Sequence, residues 1–303
     1  MHILVTGATG FIGRHLCPAL AQDGHKITAL SRNPQSALSR VPGLAQAIPW
    51  DPIGPPPALG GIGDIDAVVH LAGEGIAGRW TPSKKRAVRE SRVTGTRNLV
   101  AALRALKAKP EVLISASATG YYGNGGETVL TEEAPPGNDF LARVCVDWEN
   151  AARQAEGLGI RVVCLRAGIV LGPGGGALAP LLMLARLGLG GPLGSGRQWW
   201  SWLHMDDMVG LVRFALQNPL RGPFNATAPQ AVRQGDLARV LGRVVRRPAF
   251  LPVPGWVMRI AVGEVAQELL FSRRVAPQRA LDAGYRFLYP ELEPALRSIL
   301  AAG

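Results

Sequence analysis

The sequence is short of acids. Its 303 residues carry 22 Asp and Glu against 33 Lys and Arg, a formal net charge of +11. That excess invites an anionic partner. The basic residues are scattered, however, with only short clusters such as Lys84-Lys85-Arg86 and Arg246-Arg247. Aromatics, at 6%, do not interleave with them as a base-stacking platform requires. Specific nucleic-acid binding is therefore not expected, and an anionic cofactor or small-molecule substrate accounts for part of the charge. Cysteine is scarce. Cys17, Cys145 and Cys164 are odd in number and far apart, with no metal-ligand spacing. No metal is expected, and a reducing, cytoplasmic setting is. Long hydrophobic runs are missing too. The longest, Ala177–Gly194, is broken by Pro180, Arg186 and several glycines, so no membrane span or membrane contact is expected. No basic leader precedes the first apolar run, which argues against a signal peptide. Neither repeats nor low-complexity tails occur.

What is present begins at residue 2. His2–Thr6 is an apolar, β-rich run of the length a buried parallel strand needs. It leads into Gly7-Ala8-Thr9-Gly10-Phe11-Ile12-Gly13, with glycine at the first, fourth and seventh positions. This is a variant of the dinucleotide-binding fingerprint. Gly7 allows a tight turn, Gly10 lets backbone approach a pyrophosphate, and Gly13 lets helix pack on strand. The helix that follows, Ile12–Asp23, points its free N–H groups at phosphates and stops at Gly24. A second apolar run, Lys26–Leu30, supplies the context that the motif requires.

The first half of the chain alternates strand and helix, which predicts a doubly wound parallel α/β sheet covered on both faces. Further strands are expected near Gln46–Trp50 and over Ala67–Leu71, Glu111–Ser115 and Arg161–Arg166. Helices are expected from Thr81 toward Lys107 and over Phe140–Gln154. After Gly172–Gly176 the pattern loosens. Residues 1–176 read as the dinucleotide-binding domain and 177–303 as a smaller α+β substrate or lid domain. The chain is expected to return to the sheet near Trp202–Leu216, within 202–226. At the end of the second strand, where NAD binders place an acid on the ribose, stand Ser31 and Arg32. A guanidinium there suits a 2′-phosphate, so NADP(H) is the expected cofactor.

These features together resemble the extended short-chain dehydrogenase/reductases. The signs are TGATGFIG at the start, His70-Leu71-Ala72-Gly73, Val93–Leu99 (VTGTRNL), Ser115–Gly123 (SASATGYYG), Leu165–Gly172 (LRAGIVLG) and Trp202–Asp207 (WLHMDD). Ser31-Arg32, LAGEGI, Glu90–Arg97, Asp147-Trp148-Glu149, GLGGPLGSGRQ and Pro277–Pro290 narrow this to a sugar-epimerase-like subgroup with a C-terminal domain of unknown function. The resemblance implies an NADP-binding Rossmann domain, with cofactor contacts at Gly7, Thr9, Gly10, Phe11, Ile12, Gly13, Ser31, Arg32, Leu71, Ala72 and Val170. Arg92 stands where many members have Asn, and its charge reaches either a phosphate or the nearby loop. Some relatives of the subgroup are associated with cell or plastid division, which implies a possible protein partner.

One family feature is missing. The Tyr-x-x-x-Lys pair falls on Leu141 and Cys145 when Glu149 is matched to the usual glutamate. In its absence the catalytic candidates are Ser117, which would orient a substrate oxygen, and Tyr121 and Tyr122, either of which could exchange a proton. Both tyrosines equally suit an aromatic pocket wall. Arg197, Trp199 and Trp200 are the substrate-binding candidates, since an arginine beside aromatics can hold an anionic or sugar-like ligand. His204, Asp206 and Asp207 read as a structural turn. The function expected is an NADP(H)-dependent epimerase-like oxidoreductase acting on a carbonyl or sugar-like molecule; the rival is a catalytically silent NADP(H) sensor or scaffold.

Overall fold

A computed structural model of the chain describes residues 1–301. Seven strands form its central sheet: β1 (His2–Thr6), β2 (Lys26–Ser31), β3 (Leu44–Pro49), β4 (Ala67–His70), β5 (Val112–Ala118), β6 (Arg161–Ala167) and β7 (Gly222–Ala226). Their spatial order is β7-β6-β5-β4-β1-β2-β3, with every neighbouring pair parallel. The order reverses between β1 and β4. This is the expected doubly wound Rossmann sheet, and its switch point is where a ligand crevice opens outside the strand ends. β1 and β4 are buried along their whole length. That is why both read as unbroken apolar runs rather than alternating ones.

Helices α1 (Gly13–Gln22), α2 (Pro34–Arg40), α3 (Pro82–Ala105) and α4 (Phe140–Arg153) connect the strands. On α1 the buried residues are Gly13, Leu16, Cys17 and Leu20, one stripe at helical spacing. The stripe packs on one face of the sheet together with Met208 and Val212 of α6 (Met205–Gln217). Leu99 and Leu103 of α3 and Ala152 of α4 cover the other face. Each fully buried leucine contributes about 1.5–3 kcal/mol. Asn33 caps α2 by accepting from Ser36 N–H, and Thr81 caps α3 by accepting from Lys84 N–H, with Pro82 next in line.

Beyond residue 176 lie α5 (Leu178–Arg186), α7 (Gln234–Val244), α8 (Gly255–Val262), α9 (Val265–Leu270), α10 (Gln278–Asp282) and α11 (Leu292–Ala301). Leu178, Leu237, Leu241, Leu296 and Ile299 gather α5, α7 and α11 around Trp202 in a separate core cluster. Among the described residues, no helix is long and apolar enough to cross a membrane.

Two expectations need correction. The third strand begins at Leu44 and ends at Pro49; Trp50 leaves the strand and turns into the core. The return to the sheet is not Trp202–Leu216. Trp202–His204 pairs with Ile169–Leu171 in a small parallel ribbon, and 205–217 is α6, whose Met208, Leu211, Val212 and Ala215 recur at helical spacing. The returning strand is β7, paired with β6.

Candidate functional site

The glycine turn sits at the carboxyl end of β1. Gly7 has φ +72°, and a Cβ there would stand 2.8 Å from the Leu71 carbonyl carbon. A Cβ on Gly13 would come within 2.6 Å of Ala8 Cα. Neither position tolerates a side chain, so strand, turn and helix close up as a phosphate cradle requires. Gly10 N–H donates to Gly7 O at 2.9 Å, while the N–H groups of Phe11 and Ile12 take no backbone partner among the described residues. These free donors, at the start of α1, are the cradle's binding groups. Thr9 is exposed beside them. The Phe11 ring lies inside the glycine loop 172–176: a Cβ on Gly175 would be 3.0 Å from it. Phe11 thus braces that loop, and Ile12 packs on the sheet core.

Leu71 and Ala72 follow β4. Both donate their N–H to Thr6 Oγ1, at 3.2 and 3.0 Å. With its lone pairs taken, Thr6 donates its own proton to His70 Nδ1, 2.7 Å away. His70 Nε2 then carries the ring proton and donates to Thr96 Oγ1 at 2.9 Å; Thr96 in turn donates to Arg92 O. Burial, with the nearby Arg92 charge, lowers the His70 pKa to about 4. His70 is therefore a neutral strut under the crevice floor.

Ser31 and Arg32 sit at the end of β2. Ser31 Oγ donates to Asn33 O and accepts from Asn33 N–H, shaping the turn into α2. Arg32 is exposed and has no ion-pair partner among the described residues. Across from it, Lys84 holds the Glu74 carboxyl below its usual pKa, with smaller contributions from Arg32 and Arg92. Arg92 Nη1 donates to Glu74 O in the nearby loop at 2.8 Å, and its guanidinium lies 5.1 Å from the Trp148 ring.

The third group lies at the end of β5, where Ser117 is in register with Arg166 of β6. Ser117 Oγ donates to Glu149 Oε1 at 2.6 Å. Arg166 donates to the same carboxylate through Nε at 2.8 Å and Nη2 at 2.9 Å. Burial works against the Arg166 charge, but the Glu149 bonds outweigh it and raise its pKa. Arg166 Nη1 also donates to the Tyr122 hydroxyl at 3.0 Å, and that hydroxyl donates to Asn225 Oδ1 at 2.6 Å. Tyr122 is only 4% exposed, and burial raises its pKa to about 12. A proton-exchanging role for Tyr122 is thereby corrected: its hydroxyl is fixed inside a buried network. Both hydrogen bonds to a phenol in this turn are at Tyr122; Tyr121 is half-buried, with its ring centroid 3.5 Å from the Arg166 guanidinium carbon.

Leu141 and Cys145, where the family's pair belongs, are buried and pack against Gly120. Burial raises the Cys145 thiol to about 12, so it offers no thiolate. Sequence reasoning did not single out Arg166, Glu132 or Asn225. Glu132 Oε1 accepts from Asn225 N–H across 93 positions, a pairing that no local pattern announces.

The substrate candidates divide. Arg197 lines an open pocket of about 580 Å³ with Glu127, Arg233 and Arg239. Trp199 touches two of its lining residues. Its Nε1 donates to Glu127 at 2.9 Å, and Arg233 lies 3.9 Å over its ring. Bonds from Arg233, then Trp199, lower the Glu127 pKa to about 2. Trp200 is a correction. Its indole is buried and donates to Leu269 O at 3.1 Å, leaving no face for a ligand. Val170 is half-buried in the 169–171 ribbon. The His204–Asp207 turn is structural: buried Asp207 accepts from Leu288 and Tyr289 N–H at 2.8 and 2.9 Å. No metal-ligating cluster occurs among the described residues.

A reversing parallel sheet with a glycine cradle at its switch point defines a Rossmann-type dinucleotide-binding protein. The chain belongs to the NAD dependent epimerase/dehydratase family, whose model matches residues 3–227, and residues 253–299 match a domain of unknown function, DUF1731. It is 40% identical to the chloroplastic SDR39U1 homolog of Arabidopsis thaliana, over 99% of this chain and 87% of that protein. It is 37% identical to the epimerase family protein YfhF of Bacillus subtilis, over 99% and 98%. The crystal structure of human SDR39U1 isoform 2 with NADPH superposes with a TM-score of 0.89 at 35% identity, covering 99% of both chains.

Proposed function

We propose that this protein binds NADP(H) and exchanges hydride with a carbinol or carbonyl carbon of a small, sugar-like or anionic molecule. The observation that carries the reading is Arg32: an exposed guanidinium at the end of β2, without an ion-pair partner among the described residues and beside a turn where no Cβ fits. A planar cation there matches a 2′-phosphate, and no carboxylate stands at this strand end, where NAD binders place one. Human SDR39U1, with its NADPH, supports the same assignment. Gly7, Gly10 and Gly13 with the Phe11 and Ile12 N–H groups would hold the pyrophosphate. Leu71, Ala72 and Val170 would line the nicotinamide side.

The bound nicotinamide supplies or accepts the hydride. The chain supplies the proton route and the orientation. Ser117, like Tyr122 only 4% exposed, has its proton committed to Glu149, so its oxygen would meet a substrate hydroxyl through its lone pairs alone. That favours a carbinol in this position. Tyr121 stacks on Arg166, but its hydroxyl takes no hydrogen-bond partner among the described residues, which leaves it as the remaining phenol for proton exchange. Arg197 and Trp199 form the anion-holding end. This reading assigns residues 1–176, with β7, to cofactor and the remainder to substrate. The three free, buried cysteines support a reducing, cytoplasmic setting.

Calorimetry with NADPH and NADH tests the cofactor. Tighter binding of NADPH is expected; equal or reversed preference would sink the assignment. Loss of nicotinamide absorbance across a carbonyl panel tests the chemistry. The second reading, a silent NADP(H) sensor, rests on Leu141 and Cys145: both positions of the family's proton-exchange pair are buried, and neither carries a charge. Firm NADPH binding with no turnover on any carbonyl or carbinol would favour it.

A further inference from the structure

Away from the crevice, two helices repeat one pattern on the surface. Helix α5 exposes Met183, with Arg186 three residues on and Leu187 four. Helix α8 exposes Trp256, with Arg259 and Ile260 at the same spacing, while Met258 faces inward. Residues three and four apart share one helix face, so each helix presents an apolar pair beside an arginine. The chain segments next to the two patterns are joined. Val253 N–H donates to Pro192 O, and Val253 O accepts from Gly194 N–H, both at 2.8 Å. A Cβ on Gly188 would stand 3.8 Å from Pro248. Phe250 and Leu251 lie exposed on this joining segment.

The exposures are large: Leu187 67%, Phe250 71%, Trp256 67% and Ile260 69%. Scattered single apolar residues need no explanation, but a joined group of this kind marks an interaction face. Its charge is one-sided. Residues 178–189 and 245–262 contain Arg186, Arg246, Arg247 and Arg259 and not one Asp or Glu.

That charge selects the occupant. A second copy docking through a two-fold axis would set four arginines against four arginines. A peptide side chain needs a groove, and the crevice between α5 and the Val253 segment holds only about 20 Å³. The side chains protrude instead. Aromatic and aliphatic groups standing out among arginines are the composition of a membrane-interface anchor, where apolar tips enter the headgroup boundary and guanidinium groups meet lipid phosphates. We infer that this face, centred on Trp256, Ile260, Phe250 and Leu187, docks the protein on an anionic membrane surface. The attachment is peripheral, since no described helix can span. A hydropathy test for a span does not detect such a face, because its apolar residues are spread over three segments.

The test is cosedimentation of the full chain with vesicles of phosphatidylcholine mixed with phosphatidylglycerol. Binding to the mixed vesicles, little to phosphatidylcholine alone, and release by salt are expected. Trp256→Ser with Ile260→Ser alters only exposed side chains. This variant should keep the wild-type melting temperature and bind the mixed vesicles at least ~10-fold more weakly. Arg247→Gln with Arg259→Gln should weaken binding about 30-fold. Wild-type protein left in solution at low salt would overturn the inference, as would unchanged binding by the Trp256/Ile260 variant. So would a wild-type dimer, seen by ultracentrifugation, that the same variant splits: the face would then belong to a second copy.

Discussion

Arg166 grips Glu149 with two hydrogen bonds, 2.8 and 2.9 Å long, and the pair is buried between β6 and α4. The pair organises the hydroxyl groups on both sides of it. It claims the Ser117 hydroxyl on one side and fixes Tyr122 on the other.

Glu149→Ala should therefore be among the most damaging single changes. It leaves a buried guanidinium without its counter-charge, which costs about 3–5 kcal/mol. Urea unfolding at neutral pH measures it. A loss below about 1 kcal/mol, the scale of an exposed pair, would contradict the geometry.

The two adjacent tyrosines should behave differently. Tyr122→Phe removes a buried hydroxyl from Asn225 and Arg166 and should cost about 1–3 kcal/mol. Tyr121→Phe should stay within about 0.5 kcal/mol of wild type, as changes off such networks do. In any carbonyl assay that consumes NADPH, Tyr121→Phe should lose turnover. Retained turnover would remove Tyr121 from the proton route.

Arg32→Ser should weaken NADPH by about 10–100-fold, the value of one charge-assisted contact, and leave NADH unchanged. Calorimetry with both coenzymes decides it. An equal loss for both would mean that Arg32 does not read the 2′-phosphate.

Gly13→Ala tests the cradle by size alone. The added carbon would sit 2.6 Å from Ala8 Cα, closer than any real contact. A stability loss of about 1–3 kcal/mol is expected, with weaker NADPH binding. An alanine variant of wild-type stability and affinity would show that helix and turn are not closed up as described.

His70 sets a pH dependence. Its folded pKa, about 4, lies below the ordinary 6.5, so protons favour the unfolded chain. The contribution to stability is full above about pH 6.5 and is lost as pH falls toward 4. The gap corresponds to about 3 kcal/mol. Urea unfolding across that window should show a steeper decline for wild type than for His70→Gln. Parallel declines would mean that His70 titrates freely.

Local sequence determined the cofactor half. An apolar run, three glycines and a following helix can close only one way, because the turn at Gly7 and the contacts at Gly13 are short-range and exclude Cβ. Ser31-Arg32 needed only its distance from those glycines. Family motifs singled out Ser117, though the strand that carries it runs on to Ala118, past the expected end at Ser115, and the substitution of the usual pair by Leu141 and Cys145 was equally plain. Tertiary structure decided the rest. Which of two consecutive tyrosines is tied down depends on Asn225, more than a hundred residues away, reached only when β7 lies beside β6. Trp199 and Trp200 are neighbours in sequence, yet alternate sides of one strand put the first against two residues that line a pocket and the second in the core. The arginine-fringed face is likewise assembled from segments some sixty residues apart, since apolar side chains far apart in the chain become one surface only after the core between them has packed.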